Sequence, residues 1–168
     1  MFKTPVFPNL PVLVVDDSPF ARKIVRSMLE PVGIRQVVEA GDGGDALQRL
    51  AKFKPALIIL DWNLPVLGAK GVLDVLRDPK ASSETDVPVI VMSASPTRRL
   101  INEAGERNVR HVLKKPFAPK ALWQRIATFF DEDPANLSDY APQTLLGTVF
   151  KGDDAETKRW LRRADVLH

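Results

Sequence analysis

The stretch PALIILDWNLP, residues 55–65, runs five apolar residues, Ala56 to Leu60, straight into a carboxylate, Asp61. A continuous apolar run with β-branched Ile58 and Ile59 suits a strand covered on both faces, because a half-exposed strand would alternate. Asp61 then marks the point where buried strand becomes loop. Three other runs have the same shape: PVLVVDDSP (11–19) ends on Asp16 and Asp17, VPVIVMSASP (87–96) on Ser93 and Ser95, and VRHVLKKPF (109–117) on Lys115. In an open parallel α/β sheet, ligands bind in the crevice outside the carboxyl ends of the strands. Four runs ending in Asp-Asp, Asp, Ser and Lys therefore describe one polar site.

Helical patterns separate the runs. Ser18 is placed to cap a helix with Pro19 at its first position, and Phe20, Ile24, Val25, Met28 and Leu29 recur at helical spacing until Pro31-Val32-Gly33. A strand over Ile34–Glu39 leads into Gly41-Asp42-Gly43-Gly44, where the glycines permit a tight turn and Asp42 caps the next helix. Asp42 and Asp45 are read as helix-start residues rather than metal ligands. A third helix ends at Asp78-Pro79. Ser95-Pro96-Thr97 repeats the Ser-Pro capped start, with Ser95 as cap, and a weakly amphipathic fourth helix follows with Leu100, Ile101 and Ala104 inward and Arg98, Arg99, Glu103 and Arg107 free for a partner. Pro119 opens a fifth helix with Leu122, Ile126, Phe129 and Phe130 apolar. Five βα units with right-handed crossovers and one reversal predict a flavodoxin-like, doubly wound five-stranded parallel sheet, order 2-1-3-4-5, with helices on both faces. Strands one and three become neighbours, and so do Asp17 and Asp61.

The chain of 168 residues, 45% apolar, has material for one domain of about residues 10–130 and a short extension, 131–168. Residues 1–130 carry 19 Lys and Arg against 13 Asp and Glu, and residues 131–168 carry 5 against 8. The basic residues are scattered, which disfavours a nucleic-acid partner. The absence of cysteine excludes thiol catalysis and thiolate zinc and fits a reducing, cytoplasmic setting. No apolar stretch reaches the length of a membrane span. In the extension, Leu145, Leu146, Val149 and Phe150 form one apolar face and Trp160, Leu161, Ala164 and Leu167 another, predicting two short helices that dock on the domain or on a second copy. His111 and His168 stand in no ligand pattern.

Asp16, Asp17 and Asp61 crowded together repel one another unless a cation joins them. All-oxygen ligands without His or Cys point to Mg²⁺, with Mn²⁺ as a substitute. Lys115 can pair with an aspartate or an added anion, and Ser93 offers that anion a hydroxyl donor. Nucleotide-binding and hydrolase readings fail: GxxxxGK[ST], GxGxxG and GxSxG are all missing.

With these residues in place, the chain resembles the receiver domain of bacterial two-component response regulators, most closely the CheY-like chemotaxis type. VLVVDD, DWNLP, MSAS and KKPF carry the resemblance across about Leu10 to Phe130. It implies that Asp61 accepts a phosphoryl group from a histidine kinase or small phosphodonor. It further implies Mg²⁺ held by Asp17, Asp61 and the Asn63 carbonyl, with Asp16 acting through water. Ser93, Ala94 and Lys115 become the phosphoryl-binding and switch residues; Asn63, Ser95 and Val112 become modulating positions. Val112 departs from the aromatic residue usual three positions before the lysine; Ala69 and Lys70 depart from a common glycine and a common apolar residue. The implied role is a signalling switch, not a metabolic enzyme. It promotes its own phosphorylation and dephosphorylation and binds a downstream protein through the face of helix 4, strand 5 and helix 5, with chemotaxis or motility as the pathway suggested. Two other readings are a phosphorelay intermediate serving a histidine phosphotransfer protein, and a dimer or DNA contact through Lys158–Arg163.

Overall fold

The computed structural model describes residue 7, residues 9–82 and residues 86–130. The two helices expected in 131–168, Trp160, His168 and the Lys158–Arg163 cluster all lie outside the described residues. Five parallel strands, β1 (Val12–Val15), β2 (Val37–Ala40), β3 (Leu57–Asp61), β4 (Val89–Ser93) and β5 (His111–Lys114), form one sheet in the order β2-β1-β3-β4-β5. The helices between and after them are α1 (Pro19–Leu29), α2 (Gly43–Lys52), α3 (Gly68–Arg77), α4 (Arg98–Gly105) and α5 (Pro119–Phe129). No helix among the described residues is long and apolar enough to cross a membrane.

Every residue of β1, β3 and β4 is buried, as unbroken apolar runs require. Their side chains divide by parity between two cores. Val12, Val14, Leu57, Ile59, Ile90 and Met92 pack with α1 and α5, whereas Leu13, Val15, Ile58, Leu60, Val89 and Val91 pack with α2, α3 and α4. Parity also sorts β5. Leu113 joins the α1/α5 core, and Val112 packs against the opposite one.

The predicted caps form at Ser18, which accepts from Ala21 N, and at Asp42, which accepts from Asp45 N at 2.7 Å. Five details differ from the sequence reading. β2 begins at Val37, not Ile34. α1 closes through a one-turn 3-10 helix, Glu30–Val32, and Gly33 at φ 93°, after which Ile34 N donates to Leu29 O and the Ile34 side chain plugs the core. An apolar plug at a helix C-terminus thus mimicked the start of a strand. The cap of α4 is Thr97, whose hydroxyl accepts from Leu100 N, rather than Ser95. Ile101 is 51% exposed, because an eight-residue helix turns only its i, i+4 pair, Leu100 and Ala104, onto the sheet. Nor is the polar face of α4 wholly free: Arg107 holds Asp74 of α3 at 2.7 Å, and Glu103 lies 3.0 Å from Arg99 and 3.6 Å from Lys70.

The fifth difference concerns glycine. Gly43 is an ordinary helical residue, and its freedom serves close approach rather than a turn: a Cβ there would sit 2.7 Å from Leu67 Cβ and 3.4 Å from its Cα. At Gly71 the intruding atoms are the flexible tip of the same leucine, Cγ at 2.6 Å and Cδ1 at 2.7 Å. Gly43→Ala is therefore expected to cost about 1–3 kcal/mol through overpacking. Gly71→Ala should stay near neutral, since displacing the leucine tip is offset by about 1 kcal/mol of helix propensity. Urea denaturation of the two variants measures this contrast; equal losses would show that Leu67 yields at both positions.

Candidate functional site

The strand ends bring the predicted residues together. The β1–β3 register pairs Val15 with Leu60, which sets Asp16 beside Asp61, and Asp17 follows into the loop. Ligand oxygens of Asp16, Asp17 and Asp61 all lie within 4.8 Å of one another. Asp16 and Asp61 are buried and Asp17 is exposed, so the cluster opens to solvent on one side.

Lys115 closes the cluster from β4's far side. Its Nζ lies 2.5 Å from Asp16 Oδ2 and 3.1 Å from Asp61 Oδ1, so it bridges two aspartates where the sequence led us to expect one. The bridge is held by backbone: Lys115 N donates to Ser93 O at 2.7 Å, and Ser95 N donates to Ser93 Oγ at 3.1 Å. Burial pushes the Asp61 carboxyl above its ordinary value, the charges of Asp16 and Asp17 add to that, and Lys115 opposes them without prevailing. Burial alone would lower the Lys115 ammonium, but its hydrogen bond and charge pairing with Asp16, and then Asp61, outweigh it and leave it raised. Three carboxylates facing one ammonium leave the fully ionised cluster short of positive charge. The donors are hard oxygens, so a small divalent cation fits both the chemistry and the charge.

Asn63 is exposed and lines an open groove of about 360 Å³ with Trp62, Ser93, Ser95 and Lys70. Ala94 is exposed on the β4–α4 loop, and Val112 is half-buried on the α4 side of the sheet, away from the carboxylates. His111, in no ligand pattern, meets Thr128 Oγ1 at 2.7 Å and stacks edge-on to Phe129.

Sequence reasoning missed Arg22. Its Nη1 donates to the Asp16 carbonyl at 2.7 Å, while Ser18 N donates to Asp16 Oδ1, so the loop carrying both leading aspartates is tied from behind. Arg22 Nε is buried with no hydrogen-bond partner among the described residues. The available signal was spacing: Arg22 follows Ser18 by four residues on α1 and so faces the same loop. Arg77 was also missed; it donates to the carbonyls of Val87, Arg107 and Asn108, joining the end of α3 to β4 and to the turn before β5.

A doubly wound sheet with an acidic cluster at its switch point and a lysine bridging two of the aspartates defines an aspartate-centred signalling domain. The chain belongs to the response regulator receiver domain family, whose model matches residues 12–127. It is 33% identical over 124 residues to the chemotaxis protein CheY-3 of Vibrio cholerae, covering 73% of this chain and 93% of the relative. It is 32% identical over 121 residues to the chemotaxis protein CheY of Pseudomonas aeruginosa, covering 71% and 95%. Among solved structures, the chemotaxis protein CheY4 of Vibrio cholerae aligns with a TM-score of 0.64 at 27% identity, over 70% of this chain and 96% of that one. The receiver domain of Francisella response regulator 1452 aligns with a TM-score of 0.65 at 28% identity, over 73% and 98%. The chain is thus a two-component response regulator, a signalling protein rather than an enzyme of metabolism.

Proposed function

We propose that Asp61 is the phosphoacceptor of a switch that works in chemotaxis or motility and is charged by a histidine kinase or a small phosphodonor. The reading rests on one observation: a single lysine bridges Asp16 and Asp61 within a cluster that lacks positive charge. An Asp61 carboxylate oxygen forms the new P–O bond as the donor's P–N or P–O bond breaks, and the leaving group departs with the bonding electrons. Asp16, Asp17, Asp61 and the Asn63 carbonyl would hold Mg²⁺ or Mn²⁺, which supplies charge stabilisation for the transferring group. Lys115 is the protein's own contribution to that stabilisation. It leaves Asp16 and Asp61 in part to meet phosphoryl oxygens, joined by Ser93 and the Ala94 loop. Asn63 and Ser95 line the groove beside the new group and set how water reaches it.

Output follows through α4, β5 and α5, where a downstream protein binds. Val112 is smaller than the aromatic residue common at its position, so the movement on this face falls to Ser93 and the β4–α4 loop. The working unit is residues 10–130, with 131–168 as an extension, in a cytoplasmic setting.

Trp62 provides the test of the metal site, since it follows Asp61 directly and lines the groove, whereas Trp123 is buried and donates to Met28 O. A saturable change in tryptophan fluorescence is expected on titration with millimolar Mg²⁺. It should vanish in Asp17→Asn, which removes a carboxylate and keeps every tryptophan. No response in the wild type by fluorescence or calorimetry would reject the metal site.

A further inference from the structure

Around α1, α2 and α3 several of the described cations are paired, Arg26 with Glu39, Arg49 with Asp45, Lys70 with Glu103, and Arg107 with Asp74, and others, including Lys23, Lys52 and Lys80, stand singly among the described residues. Along the outer edge, where β5 pairs only with β4, Arg98, Arg110, Lys114, Lys120 and Arg125 form no ion pair among the described residues. Four of the five are exposed and Arg125 is half-buried. From Asn108 to Phe130 there is no Asp or Glu. The carboxylates of α4 and its C-cap are already engaged, Glu103 with Lys70 and Arg99, and Glu106 near Arg107 at 4.0 Å. His111 registers this field: burial, then the charges of Arg125 and Arg110, hold its imidazole below the ordinary value.

An edge of one sign suits an anionic occupant, and the chain encodes one next to it. Residues 131–156 contain seven acidic residues, beginning with Asp131-Glu132-Asp133, against the single base Lys151. They continue directly from Phe130, the residue that caps α5 on that edge. Twenty-six extended residues reach roughly 85 Å, several times the roughly 13 Å length of a four-residue strand. Tethering also gives such a segment an effective concentration in the millimolar range, enough for individually weak surface pairs to act together.

We propose that the acidic segment 131–156 docks in cis along the basic edge formed by α4, β5 and α5. The consequence is that a downstream partner must displace the chain's own segment to reach this face. That consequence rests on the output face described above; the contact itself does not, and its test involves no phosphorylation.

A water-soluble carbodiimide, which joins amines to carboxylates at zero length, tests the contact in the full chain. Equal amounts of ¹⁴N and ¹⁵N protein are mixed and cross-linked peptides are identified by mass. Links from Lys114 or Lys120 to carboxylates of 131–156 are expected with both ends of one isotope and no mixed-isotope counterpart, in excess over links from the exposed Lys52 and Lys80. Their yield should fall about fivefold or more in 1 M salt, where the Debye length shrinks to about 3 Å. Arg98→Glu/Arg110→Glu, an exchange of two exposed cations, should lower the yield similarly without touching the core. Mixed-isotope links as abundant as same-isotope ones, the statistical outcome of linkage between copies, would overturn the proposal in favour of a second copy. An even spread over all lysines, or no links from Lys114 and Lys120, would overturn it in favour of a vacant edge awaiting an external acidic partner.

Discussion

Asp61→Asn is expected to remove phosphoryl incorporation altogether while making the protein more stable. With acetyl phosphate and Mg²⁺, the wild-type chain should gain the mass of one phosphoryl group on Asp61. The variant should gain none, a loss of more than about a thousandfold, as removal of a nucleophile typically gives. Stability moves the other way because the Asp61 carboxylate is buried beside two others, and Lys115 does not fully offset either effect. Asparagine keeps the shape and removes the charge, and Lys115 retains Asp16 at 2.5 Å. A gain of about 1 kcal/mol is in the range of other relieved functional sites. The paired readout separates a lost acceptor from a damaged fold. Label on another residue, or undiminished label in the variant, would reject Asp61 as acceptor.

The second large effect is on Lys115→Met. Removing one partner of a buried ion pair costs about 3–5 kcal/mol because the other charge is left uncompensated. Lys115 retains 26% exposure, which places it at the lower end, about 3 kcal/mol, or roughly 6–12 °C in Tm for a chain of this size. The loss depends on pH with a definite sign. The folded pKa of Asp61 already lies above its ordinary 3.8 and rises further without the lysine. A carboxyl raised on folding contributes its full stability below the unfolded value and loses it as pH rises through the folded one. The deficit of the variant should therefore be greatest at neutral pH and shrink on acidification. Millimolar Mg²⁺ should restore more stability to the variant than it adds to the wild type. Thermal melts at several pH values, with and without Mg²⁺, measure both effects; a Tm that does not move would show that the bridge is a solvated contact.

Most of the sheet and of the site was legible because both are written in local runs. Unbroken apolar segments read as doubly covered strands, and the polar residue ending each of them had to reach the same edge. The bridge from Lys115 to two aspartates was legible only in part, since side-chain geometry decides whether one lysine spans both. What escaped was tertiary. Nothing near Gly43 announces that Leu67, twenty-four residues on, will press against it. Ile34 is apolar for a strand or a plug alike, and only the turn at Gly33 distinguishes them. Ile101 was misplaced because an apolar residue next to Leu100 counts as inward unless the helix is known to be short. Arg22 and Arg77 were overlooked because their hydrogen bonds to backbone carbonyls leave no mark in a sequence.

The bridge between Asp16 and Lys115 spans 99 residues, nearly the whole folded unit. At about 5–20 residues per second, synthesis of that interval takes roughly 5–20 s, and during it the growing chain holds its aspartates without the cation that serves them. The edge of β4 is also open until β5 exists to cover it. A chain released early would hold Asp16, Asp17 and Asp61 with no Lys115 to bridge two of them.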